Sequence, residues 1–468
     1  MPETRPTGML TAPELRDLVQ RGEIETVLTV FPDLYGRLVG KRIGGRFFCD
    51  EILGHGMHAC DYLLACDMEM DPVPGYRFAS WADGYGDVHC VPDLTTLRLA
   101  TWLDRTALVL CDLYDEERET LIEVAPRTIL KRQVERAAAA GLRPMGASEL
   151  EFFVLRETYE SAHRKGFDNL EPFGWYIEDY HTLQGFKAEP LIGTIRRHLD
   201  GSGVPVEFSK GEWGPGQHEI NVRYADFLEM ADRHVIYKQL AKEVAIQQGL
   251  AVTFMAKFDE RYAGSSMHLH SSLWSAETGK PLFAGAAADA VARGDLSQLP
   301  EHFRWWLGGL MRHARACTLL FAPYVNSYKR FRAGSFAPTG IAWSYDNRTA
   351  GFRIIGKGAS LRTECRVPGA DANPYLAFAA TLAAGLDGLA NRIEPPPMFC
   401  GDVYAAADLP RVPGTLPEAI AEFEKSSLFR SAFGEAVVEH ILHFAHTEQR
   451  KFDEVVTTWE RRRLLERA

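Results

Sequence analysis

Four short segments of this chain carry their chemically active side chains two residues apart. Ser148-Glu149-Leu150-Glu151-Phe152 places Glu149 and Glu151 at i and i+2. Gln217-His218-Glu219-Ile220-Asn221-Val222-Arg223 does the same with Gln217, Glu219, Asn221 and Arg223. Met267-His268-Leu269-His270-Ser271-Ser272 does so with His268, His270 and Ser272, and Arg362-Thr363-Glu364-Cys365-Arg366 with Arg362, Glu364 and Arg366. In a β-strand, residues i and i+2 point to one face. The opposite faces carry Leu150, Ile220, Leu269 and Leu361, so each segment has one apolar and one polar side. Glu212 precedes the second segment, just ahead of Gly214-Pro215-Gly216. A single such strand reads as a solvated sheet face. Four of them predict polar faces converging in the concavity of a curved sheet. Converging carboxylates repel and raise one another's pKa unless cations neutralise them. Glutamates 149, 151, 212, 219 and 364 with His268 suit Mg²⁺ or Mn²⁺, which prefer oxygen ligands and octahedral geometry. Arginines beside them suit phosphate and carboxylate recognition, and paired cations clamping phosphate suit phosphoryl transfer. The residues alone therefore predict a metal-dependent enzyme acting on a phosphate ester and a carboxylate.

The elements around these strands read as α+β. A first unit opens with a helix pattern over Ala12–Arg21, followed by a strand over Thr26–Phe31 and closed by a strand over Ala107–Cys111. A second unit begins where Pro126 takes a first helical position, with Ile129, Leu130, Val134 and Ala137 at helical spacing and Gly141 as the stop. Further helices are expected over Arg233–Gln248, Pro300–Leu320 and Pro374–Asn391, and over Phe429–Arg467 with a break or two. Domain limits of 1–120 and 121–468 follow. A net charge of −11 argues against nucleic-acid binding, which needs a basic face. No apolar run approaches the roughly 20 residues of a membrane span. The opening Met1-Pro2-Glu3-Thr4-Arg5-Pro6 lacks the apolar core of a signal peptide, and the eight cysteines include no Cys-x-x-Cys pair. The expectation is a cytoplasmic protein with reduced thiols.

The same residues resemble glutamine synthetase. Glu149-Leu150-Glu151-Phe152-Phe153, Pro215-Gly216-Gln217-His218-Glu219, Lys257-Phe258, Met267-His268-Leu269-His270, Asn326-Ser327-Tyr328-Lys329-Arg330, Asp346-Asn347-Arg348 and Asn373-Pro374-Tyr375 fall in that family's order. The resemblance implies a small β-grasp-like N-terminal domain and a catalytic domain with a curved antiparallel sheet backed by helices. It also implies a homo-oligomer, usually a dodecamer of two stacked hexameric rings, with active sites between subunits. By match, Glu151, Glu212 and Glu219 would hold a first metal, and Glu149, His268 and Glu364 a second that meets the ATP phosphates. Gly264, Arg330 and Arg366 would bind glutamate, and Arg348 the transferring phosphoryl group. Glu207, Tyr224, His270, Ser272, Arg353, Lys357 and Arg362 match ATP contacts. The implied chemistry is two-step: ATP phosphorylates the γ-carboxylate of glutamate, and a nitrogen nucleophile displaces the phosphate.

Two positions depart from that pattern. Ammonia-using members carry a flap glutamate in a Gly-Tyr-Glu-Ala-Pro-like segment; here the segment is Gly334-Ser335-Phe336-Ala337-Pro338. The aspartate-bearing stretch of the ammonium site is replaced by Gly56-Met57-His58-Ala59-Cys60-Asp61-Tyr62, where Asp61 is the candidate acid. A phenylalanine cannot bind or deprotonate ammonium, but it can wall the carbon chain of an amine. The pattern is similar to the γ-glutamyl amine ligases that act on polyamines, ethanolamine or other monoamines. A true glutamine synthetase and a catalytically silent relative are the alternatives. The retained metal ligands and Arg348 argue against the silent one. Trp81-Ala82-Asp83-Gly84-Tyr85-Gly86-Asp87 is expected to reach a neighbouring subunit's site.

Overall fold

The computed structural model describes residues 5–117, 119–285 and 288–468. Thr26–Pro32 (β1), Leu38–Gly44 (β2), Met57–Cys60 (β3), Asp87–Pro92 (β4), Arg98–Leu99 (β5) and Thr106–Tyr114 (β6) form a first sheet. Its order is β2-β1-β6-β4-β3, with β5 also on β6. β1 and β6 run parallel, while β1 and β2 form an antiparallel hairpin. The strands expected at Thr26 and Ala107 are these two parallel neighbours.

The second sheet holds Leu142–Leu155 (β7), Val206–Gly211 (β8), Gln217–Val222 (β9), Ala225–Asp226 (β10), Ala251–Thr253 (β11), Met267–Ser275 (β12), Trp343–Tyr345 (β13), Phe352–Ile355 (β14) and Arg362–Cys365 (β15). The order is β13-β14-β15-β12-β7-β9-β8. Long β7 is the spine, pairing with β9, β10, β11 and β12. All pairs are antiparallel except β13–β14, a parallel pair at the edge that the sequence pattern did not reveal. The registers bring the chemistry together. Glu149 faces His268, Glu151 faces Glu219, and Glu364 faces both His270 and Arg353 across the ladders.

Leu150, Ile220, Leu269 and Leu361 are all buried, as the alternation requires. Helices Pro126–Ala139 and Phe227–Gln247 pack on β7, and Pro374–Ala390 packs on both and on Glu301–Phe321. Gly146 on β7 allows that approach: a Cβ there would lie 2.8 Å from the Phe227 ring and 2.9 Å from the Phe378 ring. The helix expected from Arg233 starts earlier, at Phe227, where the Asp226 side chain accepts from the Glu229 amide. A 20-residue helix, Thr182–Gly201, was not foreseen because Gly185, Pro190 and Gly193 interrupt its pattern. The C-terminal pattern resolves into Ser427–Phe433, Glu435–Asp453 and Thr458–Leu464, with two breaks.

One buried core runs beneath both sheets, and a charged clamp ties them. Arg127 donates to Asp93 (2.8 Å) and Asp232 (2.9 and 3.1 Å) and also to Asp112, and Tyr375 Oη donates to Asp232 at 2.6 Å. The Asn373-Pro374-Tyr375 motif is thus partly architectural. Asn373 caps its helix by accepting from the Tyr375 amide, and its amide nitrogen donates to the carbonyls of Asp33 and Leu34. Among the described residues, no helix is long and apolar enough to cross a membrane.

Candidate active site

The β7–β9 register puts the carboxylates of Glu151 and Glu219 side by side, and the turn before β9 adds Glu212. One oxygen from each of these three lies within 4.8 Å of the others. Glu151 is 7% exposed and Glu219 2%. Burial and then the Glu212 charge push the Glu151 carboxyl up to about 8. Burial and then the charges of Glu149 and Glu212 raise Glu219 well above the usual carboxylate range. Lys210 reaches Glu212 and stands 3.9 Å from Glu219, yet Glu219 Oε2 remains buried without a hydrogen-bond partner. This is a donor set that a divalent cation fits, since an oxygen-bound cation would remove both the repulsion and the orphaned oxygen.

The second set lies one pair along the ladder. His268 Nδ1 is 3.0 Å from Glu149 and 3.6 Å from Glu364. Burial, and then Arg366, hold the His268 imidazole down to about 4, so it is neutral at physiological pH. A neutral ring that donates Nδ1–H to Glu149 leaves the Nε2 lone pair free, and Nε2 is buried with no partner. That is the form a metal ligand takes. Burial alone would raise Glu149 and Glu364. Hydrogen bonds from His268 and His270 instead hold Glu149 well below the usual range, and the Arg366 charge holds Glu364 near about 2.

Two clefts meet over these groups and share Glu149 and Phe208 in their walls. The first, of about 1150 Å³, is lined by Glu207, Tyr224, His270, Ser272 and Arg362, five of the seven expected ATP contacts. Arg353 lines the second cleft instead, donating to Glu364 (2.9 Å) and Asp346 (2.5 Å). Lys357 is exposed and lines neither cleft; its segment forms the turn that leads into β15. The second cleft, of about 1330 Å³, is lined by both metal-type sets except Glu364, and by Gly264, Arg330, Arg348, Arg366 and Phe336. Arg330 is buried, with donors committed to the Val367 carbonyl (2.8 Å), the Arg366 carbonyl (2.7 Å) and Ser266 Oγ (2.9 Å). Gly264 permits that placement, because a Cβ would lie 2.6 Å from Arg330 Cγ. Asn326 clasps Lys257 through both of its backbone groups (3.0 and 2.9 Å), joining those two motifs in space.

Phe336 sits on the cleft wall with φ +58°, a left-handed backbone that an aromatic residue rarely adopts. The Phe336 carbonyl accepts from Arg366 (3.3 Å), and the next carbonyl, of Ala337, accepts from the Tyr404 hydroxyl (3.0 Å). The ring lies 5.7 Å from Trp213 at 68°, an edge-on contact. Asp61 lines neither cleft of its own chain. It accepts from the Gly86 amide (3.0 Å), within a cluster where Tyr85 meets Tyr62 (5.7 Å) and Trp81 (4.9 Å). Lys210, Asp179, Tyr180, Phe208 and Trp213 also line the second cleft and were missed. Their one sequence signal is a tryptophan directly after Glu212.

Sheet, carboxylate sets and joined clefts define a class in which two substrates meet over paired divalent-cation ligands. The chain belongs to the glutamine synthetase family, whose catalytic domain matches residues 123–464; the family uses ATP and divalent metals. It is 45% identical to a γ-glutamylethanolamide synthetase of Streptomyces coelicolor, across 100% of this chain and 98% of that one. It is 33% identical to a glutamate–isopropylamine ligase of a Pseudomonas species, across 97% of each. A solved GmaS–ADP complex superposes with a TM-score of 0.82 at 29% identity, covering 97% of this chain and 99% of that one.

Proposed function

We propose that this protein is an ATP-dependent ligase joining glutamate to an organic amine as a γ-glutamyl amide, through γ-glutamyl phosphate. The observation that carries the choice of an amine over ammonia is Phe336 on the wall of the cleft that holds Arg330, Arg348 and both metal-type sets. The amine chemistry in the names of the two full-length relatives supports the same choice.

In this reading Glu207, Tyr224, His270, Ser272 and Arg362 hold ATP in the first cleft, with Arg353 contributing from the wall of the second and Lys357 from the exposed turn. Arg330, Arg366 and Gly264 orient glutamate in the second. Glu151, Glu212 and Glu219 hold one divalent cation, and Glu149, His268 and Glu364 another, Mg²⁺ or Mn²⁺. Bound there, such cations neutralise the phosphate and carboxylate oxygens. Arg348 meets the transferring phosphoryl group at the cleft wall and stabilises its charge. The acyl phosphate is then attacked by the amine, whose C–N bond replaces the C–O bond to phosphate. Phe336 excludes water from that intermediate and covers the carbon chain of the amine. Asp61, with the Trp81–Asp87 loop, acts on a neighbouring subunit's site as the carboxylate base that receives the amine proton, in a homo-oligomer of two stacked six-membered rings.

The test is phosphate release with glutamate, ATP and Mg²⁺ or Mn²⁺, first with ammonia and then with ethanolamine, isopropylamine and putrescine. Turnover with an amine that clearly exceeds turnover with ammonia is expected. Turnover with ammonia alone would return the protein to ordinary glutamine synthesis.

A further inference from the structure

We propose that Asp179, Tyr180, Trp213 and Phe336 form the amine subsite within a single chain. The Asp179 carboxylate pairs with the substrate ammonium, and the three aromatic rings take its carbon chain. The inference rests on the ligase reading above and assigns the recognition of the amine to residues that no sequence motif marked.

Segment 177–181 is pinned along 211–216 like an added edge. Ile177 bridges Pro215, the Asp179 amide donates to the Glu212 carbonyl (3.1 Å), and the Gly216 amide donates to Glu178 Oε1 (3.3 Å). Glu178 is buried beneath that edge, while its neighbours Asp179 and Tyr180 line the second cleft. The loop thus delivers Asp179 beside the ligand Glu212 from the same chain.

The charges around the cleft single out Asp179. Glu149 is held by His268 and His270, Glu151 by the Ser266 amide, Glu212 by Lys210, and Glu219 by Asn221. Among the described residues lining this cleft, Asp179 is the acid whose carboxylate has no hydrogen bond or ion pair. It also stands outside the carboxylate triad of the first metal set. A carboxylate left free in a cleft whose other acids are paired is a ready partner for a cation.

The aromatic side chains supply the other half. Tyr180 is 68% exposed, Trp213 49% and Phe336 45%, so three large rings present uncovered surface in one cleft. Tyr180 and Phe336 both hold φ of +58°, a costly backbone for aromatic residues. The Lys210 ammonium lies 4.7 Å from the Tyr180 ring centroid, a cation–π contact that helps hold the ring at the cleft. An alkylammonium gains from both the rings and the carboxylate. Ammonium has no carbon to bury and gains from the carboxylate alone.

Asp179→Asn and Trp213→Leu, each in the full-length protein, test this. The readouts are the KM for the best amine of the panel, the KM values for glutamate and ATP, and amine selectivity over hydroxylamine, which is uncharged near neutral pH. In both variants the amine KM is expected to rise about tenfold or more, with the glutamate and ATP values within about twofold. Selectivity for the amine over hydroxylamine falls alongside in Asp179→Asn. An unchanged amine KM in both variants would overturn the proposal. So would a parallel loss with amine and hydroxylamine, because it would mark the loop as merely structural. An inactive wild-type protein, or one that prefers ammonia, would instead refute the ligase reading itself.

Discussion

In the proposed reading metal binding turns on Glu151 and Glu219, whose carboxyls are raised by burial and then by neighbouring carboxylates, both of which a bound cation would offset. Glu151→Ala or Glu219→Ala is expected to abolish phosphate release while the oligomer survives. A second readout avoids activity. Mg²⁺ or Mn²⁺ at about a hundredfold its Kd is expected to stabilise the wild type by about 2.7 kcal/mol. Thermal melts of the double variant should show most of that gain lost, and equal stabilisation of both proteins would contradict the assignment. Phe336 carries the choice of nucleophile. Phe336→Glu is expected to shift kcat/KM toward ammonia, weakly, since one carboxylate does not rebuild an ammonium site; steady-state kinetics with both nucleophiles checks it. The metal residues were legible because strand alternation broadcasts a shared face. Asp179, Tyr180 and Trp213 were not, because they sit on irregular backbone whose side-chain directions follow no period. Asp61 was singled out through the resemblance, which looks to the position the family uses; it lines neither cleft of its own chain.

At the scale of elements, β1, β6, the four polar-faced strands and the long helices near Pro126, Arg233, Pro300 and Pro374 followed from period and caps. The Thr182–Gly201 helix did not, since its stability comes from packing on its neighbours rather than from local propensity. Parallel pairing of β13 with β14 was equally hidden, because alternation carries no strand direction. The joint between the two sheets is Arg127, 3% exposed among Asp93, Asp112 and Asp232. Replacing it leaves Asp93 and Asp232 without an ion pair and Asp112 with Lys131 alone. Arg127→Leu is expected to cost roughly 3–5 kcal/mol, read by chemical denaturation. A change under about 1 kcal/mol would show that the clamp contributes no more than a surface pair.

At the scale of the whole molecule, both clefts are lined by residues between Met145 and Arg366, on the second sheet and its loops, whereas Asp61 and the exposed Trp81 lie between β3 and β4 of the first sheet and line neither. In the proposed ring such a cluster would reach a neighbour's cleft, and sedimentation is expected to find a large homo-oligomer. An Asp61→Asn protein and an Arg348→Ala protein, each nearly inactive, should regain activity when dissociated and reassembled together, because some mixed interfaces carry neither change. No recovery would place Asp61 outside the reaction. The central claim concerns the nucleophile, and a competition measures it most directly. With glutamate and ATP saturating, ammonia and the preferred amine are supplied together at equal concentration, and the products are weighed by mass spectrometry. The γ-glutamyl amide is expected in large excess over glutamine; glutamine in equal or greater amount would contradict the account.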